Sequence, residues 1–268
     1  MRLAYTNNNV GMGSMESGYA LAADGTRLAY QCAGTGRPLM LLAGQSNNHT
    51  WWDRARADFP GSTVTMDYRG TGASDKPDVA YSTRGFADDA IAVLDELGIE
   101  QTDLYGTSMG GRTAQWVAAL YPERVRRLVL GCTSPGGAHG YERTNDIRLA
   151  LMGPDSQEVL ADLMYTPAWR AENPGPYTTL GDPDMPPHAI RRHLVASNKH
   201  DAWDVLGQIT APTLVLHGAE DELSPAANAP LLADRIPHAK VHVFPGARHA
   251  YFDECRPLAS TMVNEFLA

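Results

Sequence analysis

Short, continuously apolar runs recur along this chain and alternate with helical patterns. The runs are "PLMLLAG" (38–44), "STVTMDYRG" (62–70), "TDLYGTS" (102–108), "RRLVLGCT" (126–133), "PTLVLHG" (212–218) and "KVHVFPG" (240–246). A run without polar alternation is typical of a strand buried on both faces, as in parallel sheets whose crossover connections are helices. The alternation therefore predicts an α/β fold with a mostly parallel, doubly wound sheet.

The N-terminal part of the chain departs from this alternation. Residues 1–16 are polar and rich in Gly, Asn and Ser, so we expect them to form a flexible extension. The next stretch, "YALAADGTRLAYQCAG" (19–34), is apolar on both sides of Asp24-Gly25, which indicates a β-hairpin. The folded core is accordingly predicted to begin at residue 17.

The strand pattern is interrupted between residues 134 and 208. This stretch contains "NPGPYTTLGDPDMPP" and helix-like segments, without an apolar run of strand type. We predict an inserted helical cap at 134–208 over a core made of 17–133 and 209–268. Active sites of open α/β sheets lie at the carboxyl edge that such a cap would cover. Trp169 is one cap aromatic that could border a substrate pocket, although most such aromatics form the cap's own core.

Composition and charge limit the partners that the chain can have. The net charge is −9 and no run of Lys or Arg is present, which argues against nucleic acid or an anionic membrane as partner. No signal-peptide pattern and no 18-residue apolar stretch occur, so a cytoplasmic location is expected. The three cysteines and nine histidines lack metal-ligand spacing, and no phosphate- or dinucleotide-binding pattern appears. We therefore expect a small, partly apolar substrate and neither a metal nor a cofactor; the oligomeric state is left open.

The segment "GTSMGG" (106–111) places Ser108 between two glycines. With 25 glycines and twelve serines in 268 residues, such flanking arises by chance about one time in ten, so the motif alone is weak. Its context is more specific, because an apolar run precedes Ser108 and a helix-forming stretch follows it. This strand, turn and helix order is that of a nucleophile elbow. Gly106 and Gly110 meet the requirement for small residues where strand and helix approach closely.

Two later segments supply a base and an acid for a serine nucleophile. In "LHGAEDELSP" (216–225), Asp221 follows the end of an apolar run, and in "GARHAYF" (246–252), His249 does the same. A serine hydroxyl needs a base to accept its proton and an acid to orient that base. Glu220 and Glu222 are alternative acids, but Asp221 alone matches a Gly-x-x-Asp spacing.

These segments together resemble those of an α/β-hydrolase fold enzyme with a helical cap, over residues 17–268. The matching pieces are "LLAGQSNNHTWW" (41–52), "DYRGTGASDKP" (67–77), "GTSMGG", "LHGAEDELSP" and "GARHAYF". The resemblance implies Ser108 as nucleophile, His249 as general base and then acid, and Asp221 as the acid that orients His249. The chain order Ser, Asp, His is the one expected for this fold.

The resemblance also implies an oxyanion hole made of two backbone N–H groups. The first is that of Met109, and the second is that of Gln45 in the loop after "LLAG". Family members often have His-Gly in this loop, whereas this chain has Ala43-Gly44. We interpret His49 in the same loop as a polar loop residue rather than a second base.

The reaction expected from these residues is hydrolysis of a carboxylic ester or lactone through an acyl-enzyme. A carbon–carbon bond hydrolase, a cofactor-independent lyase and a ligand receptor that retains the triad are alternatives. Arg112, four residues after Ser108, bears on the lyase alternative because its guanidinium could bind a substrate carboxylate. Its other interpretation is structural, as a partner of a carboxylate or of loop carbonyls beneath the cap.

Overall fold

The computed structural model describes residues 15–268. Residues 1–14 of the predicted extension lie outside the described residues. Glu16, the last residue of that extension, already belongs to the first strand, so the folded core begins one residue earlier than predicted.

Eight strands form one sheet in the described part of the chain. They are β1 (Glu16–Leu21), β2 (Arg27–Ala33), β3 (Pro38–Leu42), β4 (Ser62–Met66), β5 (Thr102–Thr107), β6 (Val125–Gly131), β7 (Thr213–Gly218) and β8 (Ala239–Phe244). The order across the sheet is β1-β2-β4-β3-β5-β6-β7-β8. All pairs from β4 to β8 are parallel, and β2 is antiparallel to both β1 and β4. The mostly parallel sheet predicted from the apolar runs is confirmed.

The sheet order places a topological switch point at its centre. β3 pairs with β4 on one side and with β5 on the other. Loops that leave the carboxyl ends of strands on either side of such a point diverge and open a crevice. The loop after β3, which carries Gln45, and the turn after β5, which carries Ser108, border this crevice.

Helices cover the sheet and also form most of the regular structure between β6 and β7. They are α1 (Thr83–Glu96), α2 (Met109–Leu120), α3 (Asn145–Ala150), α4 (Ser156–Met164), α5 (Pro167–Glu172), α6 (Pro187–Asn198), α7 (Asn228–Arg235), α8 (Tyr251–Glu254) and α9 (Leu258–Leu267). No helix among residues 15–268 combines the length and apolarity that a membrane crossing needs.

Helix α1 shows how local sequence determines these elements. The Ser82 hydroxyl accepts a hydrogen bond from the Gly85 N–H at 2.9 Å, which caps the first turn. Gly98 adopts φ +65° just after the helix, where a left-handed residue ends it. Apolar residues at helical spacing form a buried face of α1: Phe86, Ala90, Val93 and Leu94. Burial of this apolar stripe holds α1 against the sheet.

The stretch 134–208 contains helices α3 to α6 and no strand, and all of it is described. Its one β contact is an isolated bridge between Gly136 and Asp201. The change from strands to helices supports the proposed division into a core and a cap.

Candidate active site

Ser108 occupies a sharp turn between β5 and α2. Its backbone has φ 55° and ψ −122°, a conformation that residues other than glycine rarely adopt. Such strain costs of order 1–3 kcal/mol and occurs preferentially at functional sites. The turn holds the serine at the carboxyl end of β5 and at the N-terminus of α2.

The glycines beside Ser108 are required by close backbone contacts. A Cβ atom on Gly106 would lie 2.2 Å from the Gly110 carbonyl oxygen. A Cβ atom on Gly110 would lie 2.1 Å from the Leu42 carbonyl oxygen at the end of β3. Both distances are far below van der Waals contact, so the strand, turn and helix can approach this closely only with glycine at both positions. The same contact brings the loop after β3 next to the start of α2.

Backbone contacts connect the loops along the carboxyl edge of the sheet. The Ser108 N–H donates to the Gly131 carbonyl at 2.9 Å, and the Cys132 N–H donates to the Leu216 carbonyl at 2.9 Å. Gly218 lies against the backbone carbonyls of Ala247 and Arg248, where a Cβ would be 2.5 and 2.2 Å away. The turn with Ser108 and the loops with Asp221 and His249 therefore leave one edge of the sheet in spatial succession.

Asp221 and His249 are joined by a short hydrogen bond. The His249 Nδ1 atom lies 2.7 Å from Asp221 Oδ2, and both side chains are buried. Asp221 Oδ1 accepts the N–H groups of Leu223 and Ser224, each at 2.9 Å. The neighbouring Glu220 and Glu222 are exposed. Among the three acids in this segment, the structure joins Asp221 to His249.

The environment of Asp221 keeps its carboxylate charged. Burial raises the pKa of Asp221, but the charge of His249 and the hydrogen bonds from His217 and His249 outweigh that effect and lower the pKa to about 2. The carboxylate is therefore ionised near neutral pH and can act only as an acceptor. An acceptor on Nδ1 fixes the His249 tautomer that leaves Nε2 free to accept a proton.

His217 is a second histidine on the same carboxylate, and the sequence reasoning missed it. Its Nε2 atom lies 2.6 Å from the Ser224 carbonyl and 3.1 Å from Asp221 Oδ2. The side chain is completely buried at the end of β7, and its Nδ1 atom has no hydrogen-bond partner in the described structure. With His217 as a further donor, Asp221 is held by four hydrogen-bond donors in all. The only signal in the sequence was its position four residues before Asp221.

The end of helix α4 holds the loop that carries His249. The His249 N–H points to the Leu163 carbonyl at 3.4 Å, and the Ala250 N–H donates to the Met164 carbonyl at 2.9 Å. Leu163 and Met164 are the last residues of α4. The Glu254 carboxylate connects the two segments as well. It accepts the Arg248 N–H at 2.7 Å and also the N–H of Thr166, just after α4. The position of His249 thus depends on the packing of α4 against the loop after β8.

The two predicted oxyanion donors lie on neighbouring backbone segments. Met109 is the first residue of α2, so its N–H has no acceptor within the helix. The Gln45 N–H has no backbone acceptor in the part of the chain that the structure describes. The Gly110–Leu42 contact brings their segments together, and the positive end of the α2 dipole adds to the field there.

The Asp67 carboxylate fixes the loop that carries Gln45 through hydrogen bonds with His49. Asp67 Oδ1 accepts both the His49 N–H at 2.8 Å and the His49 Nδ1–H at 2.7 Å, while Oδ2 accepts the Ala73 N–H at 2.9 Å. The hydrogen bond with Asp67 raises the pKa of His49. His49 is committed to this contact, which agrees with its interpretation as a loop residue.

His193, on α6, binds the backbone of the same loop. Its Nδ1 accepts the Ser46 N–H at 3.3 Å and its Nε2 donates to the Arg69 carbonyl at 2.9 Å. Burial lowers the pKa of His193 to about 4, against smaller opposing contributions from the Arg69 carbonyl and Asp182. The ring is therefore neutral in the folded protein. Protonation would place a hydrogen on Nδ1, which could then no longer accept the Ser46 N–H.

We expect the free energy of unfolding to fall as the pH decreases from about 6.5 to 4. Over this range the unfolded chain protonates this histidine and the folded protein does not, so the unfolded state binds more protons. A tenfold difference in proton affinity corresponds to about 1.4 kcal/mol, so His193 contributes roughly 3 kcal/mol to this loss. Denaturant unfolding of the wild type and of His193→Gln at several pH values measures the contribution.

The exposed His238 provides the control for that experiment. His238→Asn should leave the pH dependence of unfolding as in the wild type, whereas His193→Gln should reduce it. An unchanged slope in His193→Gln would show that the buried ring is not the group responsible.

Arg112 is buried and its guanidinium is surrounded by protein acceptors. Nη1 donates to the Ser197 carbonyl at 2.6 Å and to its hydroxyl at 3.1 Å. Nη2 donates to the Ser134 hydroxyl at 2.9 Å and to the Glu142 carboxylate at 3.2 Å. These contacts correspond to the structural interpretation of Arg112 and occupy the nitrogens that a substrate carboxylate would need.

Arg112→Met is expected to lower the free energy of unfolding by about 2–4 kcal/mol, because it leaves buried acceptors without their donor. Turnover of neutral and of acidic substrates should fall together. Arg148→Met is the matched control: its exposed side chain lies 3.7 Å from Glu142, and we expect a change within about 0.5 kcal/mol. Selective loss of acidic substrates at unchanged stability would instead assign Arg112 to substrate binding.

Trp169 lies in an aromatic cluster with Tyr165 and Tyr177. Its ring stacks on Tyr165 with centroids 4.4 Å apart and lies 6.0 Å from Tyr177, and the Arg54 guanidinium is 5.1 Å from it. The ring contacts described for Trp169 are thus with two tyrosines between α4 and α6 and with Arg54. They do not bring it to Ser108, Asp221 or His249, so a role in substrate binding stays a prediction.

Among residues 15–268, no group of three His, Cys, Asp or Glu side chains is arranged to hold a metal ion.

Comparison with known proteins assigns the chain to a family. Residues 42–254 match the family model of the alpha/beta hydrolase fold. The chain is 32% identical to a 2-hydroxymuconate semialdehyde hydrolase of Pseudomonas sp. (strain CF600), over 281 aligned positions that cover 97% of each protein. It is 29% identical to a 3-oxoadipate enol-lactonase of Acinetobacter baylyi, covering 83% of this chain and 86% of that protein.

Solved structures give the same result. A structure of Est816, described as an N-acyl homoserine lactone degrading enzyme, superposes with a TM-score of 0.79 at 29% identity and covers 93% of this chain and 98% of its own. The family match spans most of the chain, and the sheet order and the turn at Ser108 agree with it. The protein belongs to the α/β-hydrolase fold family.

Proposed function

We propose that the protein is a serine hydrolase that cleaves a carboxylic ester or a lactone through an acyl-enzyme. The observation that carries the proposal is the buried Asp221–His249 hydrogen bond at the sheet edge where Ser108 sits on a strained turn. Relatives that act on lactones, by their names, support the ester or lactone class.

In this proposal the reaction begins when Ser108 Oγ attacks the substrate carbonyl and His249 Nε2 takes its proton. Asp221 holds the resulting imidazolium through Nδ1. The oxyanion of the tetrahedral intermediate is stabilised by the N–H groups of Met109 and Gln45. Collapse breaks the ester C–O bond, and His249 returns the proton to the leaving alkoxide. A water molecule activated by His249 then hydrolyses the acyl-enzyme.

Carbon–carbon bond hydrolysis is the second candidate function. It is favoured by the similarity to 2-hydroxymuconate semialdehyde hydrolases, one of which is 34% identical over 95% of both chains. The lyase alternative has less support, because the nitrogens of Arg112 that it would use are bound to protein acceptors.

A substrate panel tests the proposed function. The purified protein would be assayed with 4-nitrophenyl esters of graded acyl length, with simple lactones and with 2-hydroxymuconate semialdehyde. We expect kcat/KM to be highest for an ester or lactone and to be lost in Ser108→Ala. A higher kcat/KM for the semialdehyde would make carbon–carbon bond hydrolysis the function.

A further inference from the structure

The segment between β6 and α3 is anchored to both sides of the candidate active site. The Asn228 side chain binds the Tyr141 backbone twice: Oδ1 accepts the Tyr141 N–H at 2.8 Å and Nδ2 donates to the Tyr141 carbonyl at 2.8 Å. Nδ2 also donates to the Pro225 carbonyl at 3.0 Å. Pro225 follows Ser224, whose N–H binds Asp221. Asn228 is fully buried, so Tyr141 is tied to the loop of the catalytic acid.

The next residues are anchored on the side of the nucleophile. Glu142 accepts a hydrogen bond from Arg112, which lies one turn after Ser108 on α2. Thr144 caps α3, because its hydroxyl accepts the Ile147 N–H. Arg143 is therefore held between fixed neighbours, and its Cα position is determined by the same contacts that organise the site.

The side chain of Arg143 has no partner in the part of the chain that the structure describes. Ion pairs are recorded there for Arg112 and for Arg148, both with Glu142, but none for Arg143. The side chain is partly buried, and burial lowers the pKa of Arg143. A partly buried guanidinium without a hydrogen-bonded carboxylate is costly, and such groups are found where a ligand supplies that partner.

Three charges act on this guanidinium. They are those of its neighbours Glu142 and Arg148 and that of Asp221. Glu142 is bound to Arg112, and Asp221 already accepts from His249, His217 and two backbone N–H groups. The contacts of Tyr141 and Glu142 thus place Arg143 between the loop of Asp221 and helix α2, and its guanidinium has no hydrogen-bond acceptor among the described residues.

We propose that Arg143 binds a carboxylate carried by the substrate. This inference rests on the proposed function and narrows its substrate class to esters, lactones or related compounds with an anionic group away from the reacting carbonyl. A guanidinium fork matches a carboxylate with two parallel hydrogen bonds. Carboxylate binding, one of the two roles that the sequence allows for Arg112, falls instead to Arg143, whose nitrogens have no hydrogen-bond acceptor among the described residues.

The test compares two esters that differ in one group. The 4-nitrophenyl monoester of glutarate carries a terminal carboxylate, and 4-nitrophenyl pentanoate carries a methyl group there. Arg143→Met should raise KM for the glutarate monoester at least tenfold, about 1.4 kcal/mol, and change KM for the pentanoate by less than twofold. Arg143→Lys keeps the charge without the fork and should recover part of the loss. Arg192→Met removes an exposed cap charge and should alter neither KM.

The possible results separate this inference from the proposed function. Equal changes for both esters in Arg143→Met, or a wild type that cleaves the pentanoate and rejects the glutarate monoester, would overturn the inference alone. If the wild type cleaves neither ester, the proposed function fails and calorimetric binding of glutarate decides the inference. Tenfold weaker binding of glutarate by Arg143→Met would support it, whereas no binding by the wild type, or equal binding by both, would reject it.

Discussion

Ser108→Ala is expected to lower kcat for ester hydrolysis by at least about 10³-fold, on the scale of nucleophile deletions in unrelated serine enzymes. The variant lacks the hydroxyl that attacks the carbonyl in the proposed mechanism, so no acyl-enzyme can form by that route. The turn should persist, because Gly106 and Gly110 permit it and the Ser108 backbone bonds to Gly131 and Arg112 do not involve the hydroxyl. The measurement is single-substrate kinetics with a 4-nitrophenyl ester, accompanied by thermal unfolding.

Ser17→Ala is the matched control for this variant. Ser17 is an exposed residue of β1, far along the sheet from β5, and the same substitution there should leave kcat unchanged. Near-wild-type turnover by Ser108→Ala would remove Ser108 from the mechanism. A folded Ser108→Ala with a wild-type melting temperature and no turnover is the expected result.

Asp221→Asn should reduce kcat by about 10⁴-fold, as the equivalent change does in a serine protease. Oδ2 of Asp221 accepts from His249 and His217, and Oδ1 accepts two backbone N–H groups. An amide has one oxygen, so its NH₂ group must face a donor. If the NH₂ group faces His249, it donates to Nδ1. The imidazole is then held in the tautomer in which Nε2 carries a proton and cannot act as base. Steady-state kinetics of the variant measures this loss.

The neighbouring glutamates provide controls with the same change of charge. Glu220 and Glu222 are exposed, so Glu220→Gln and Glu222→Gln should retain wild-type kcat. The assignment of the acid would be contradicted if Asp221→Asn kept full activity while either glutamine variant lost it.

The sequence was informative wherever a local pattern determines structure. Continuous apolar runs predicted β3 to β8, because a strand buried on both faces cannot alternate with polar residues. Asp24-Gly25 predicted the β1–β2 hairpin, and Gly25 indeed adopts φ +84°. The need for glycine at 106 and 110 could also be predicted, since the close approach of strand and helix is inherent in the turn.

Contacts between segments distant in the chain were not predictable from the sequence. The sequence allowed a structural role for Arg112 but could not identify its partners, because Ser197 and Ser134 lie on segments that the local pattern does not connect to α2. His217 was read as the end of a strand, and its contact with Asp221 depends on how the following loop turns. Arg143 carried no signal at all, since an unpaired cation is recognised only when its surroundings are known.

The contacts of the helices between β6 and β7 are the largest part of the candidate site that the sequence left open. Leu163 and Met164 of α4 bind the backbone of the His249 loop, and His193 of α6 binds the loop beside Gln45. These contacts make the positions of the two loops depend on the packing of α4 and α6. Periodicity predicted helices in this segment, but it carries no information on which backbone groups they meet.

Covalent labelling with a 4-nitrophenyl phosphonate ester, followed by peptide mass spectrometry, tests the central claim that Ser108 is the nucleophile activated by His249 and Asp221. Such a reagent traps a serine only where a base and an oxyanion hole act on it together. We expect one phosphonyl group per chain, on the peptide that contains Ser108, with loss of esterase activity in proportion to labelling and no label in Ser108→Ala. An unlabelled protein, or a label on another residue with Ser108 unmodified, would contradict the account.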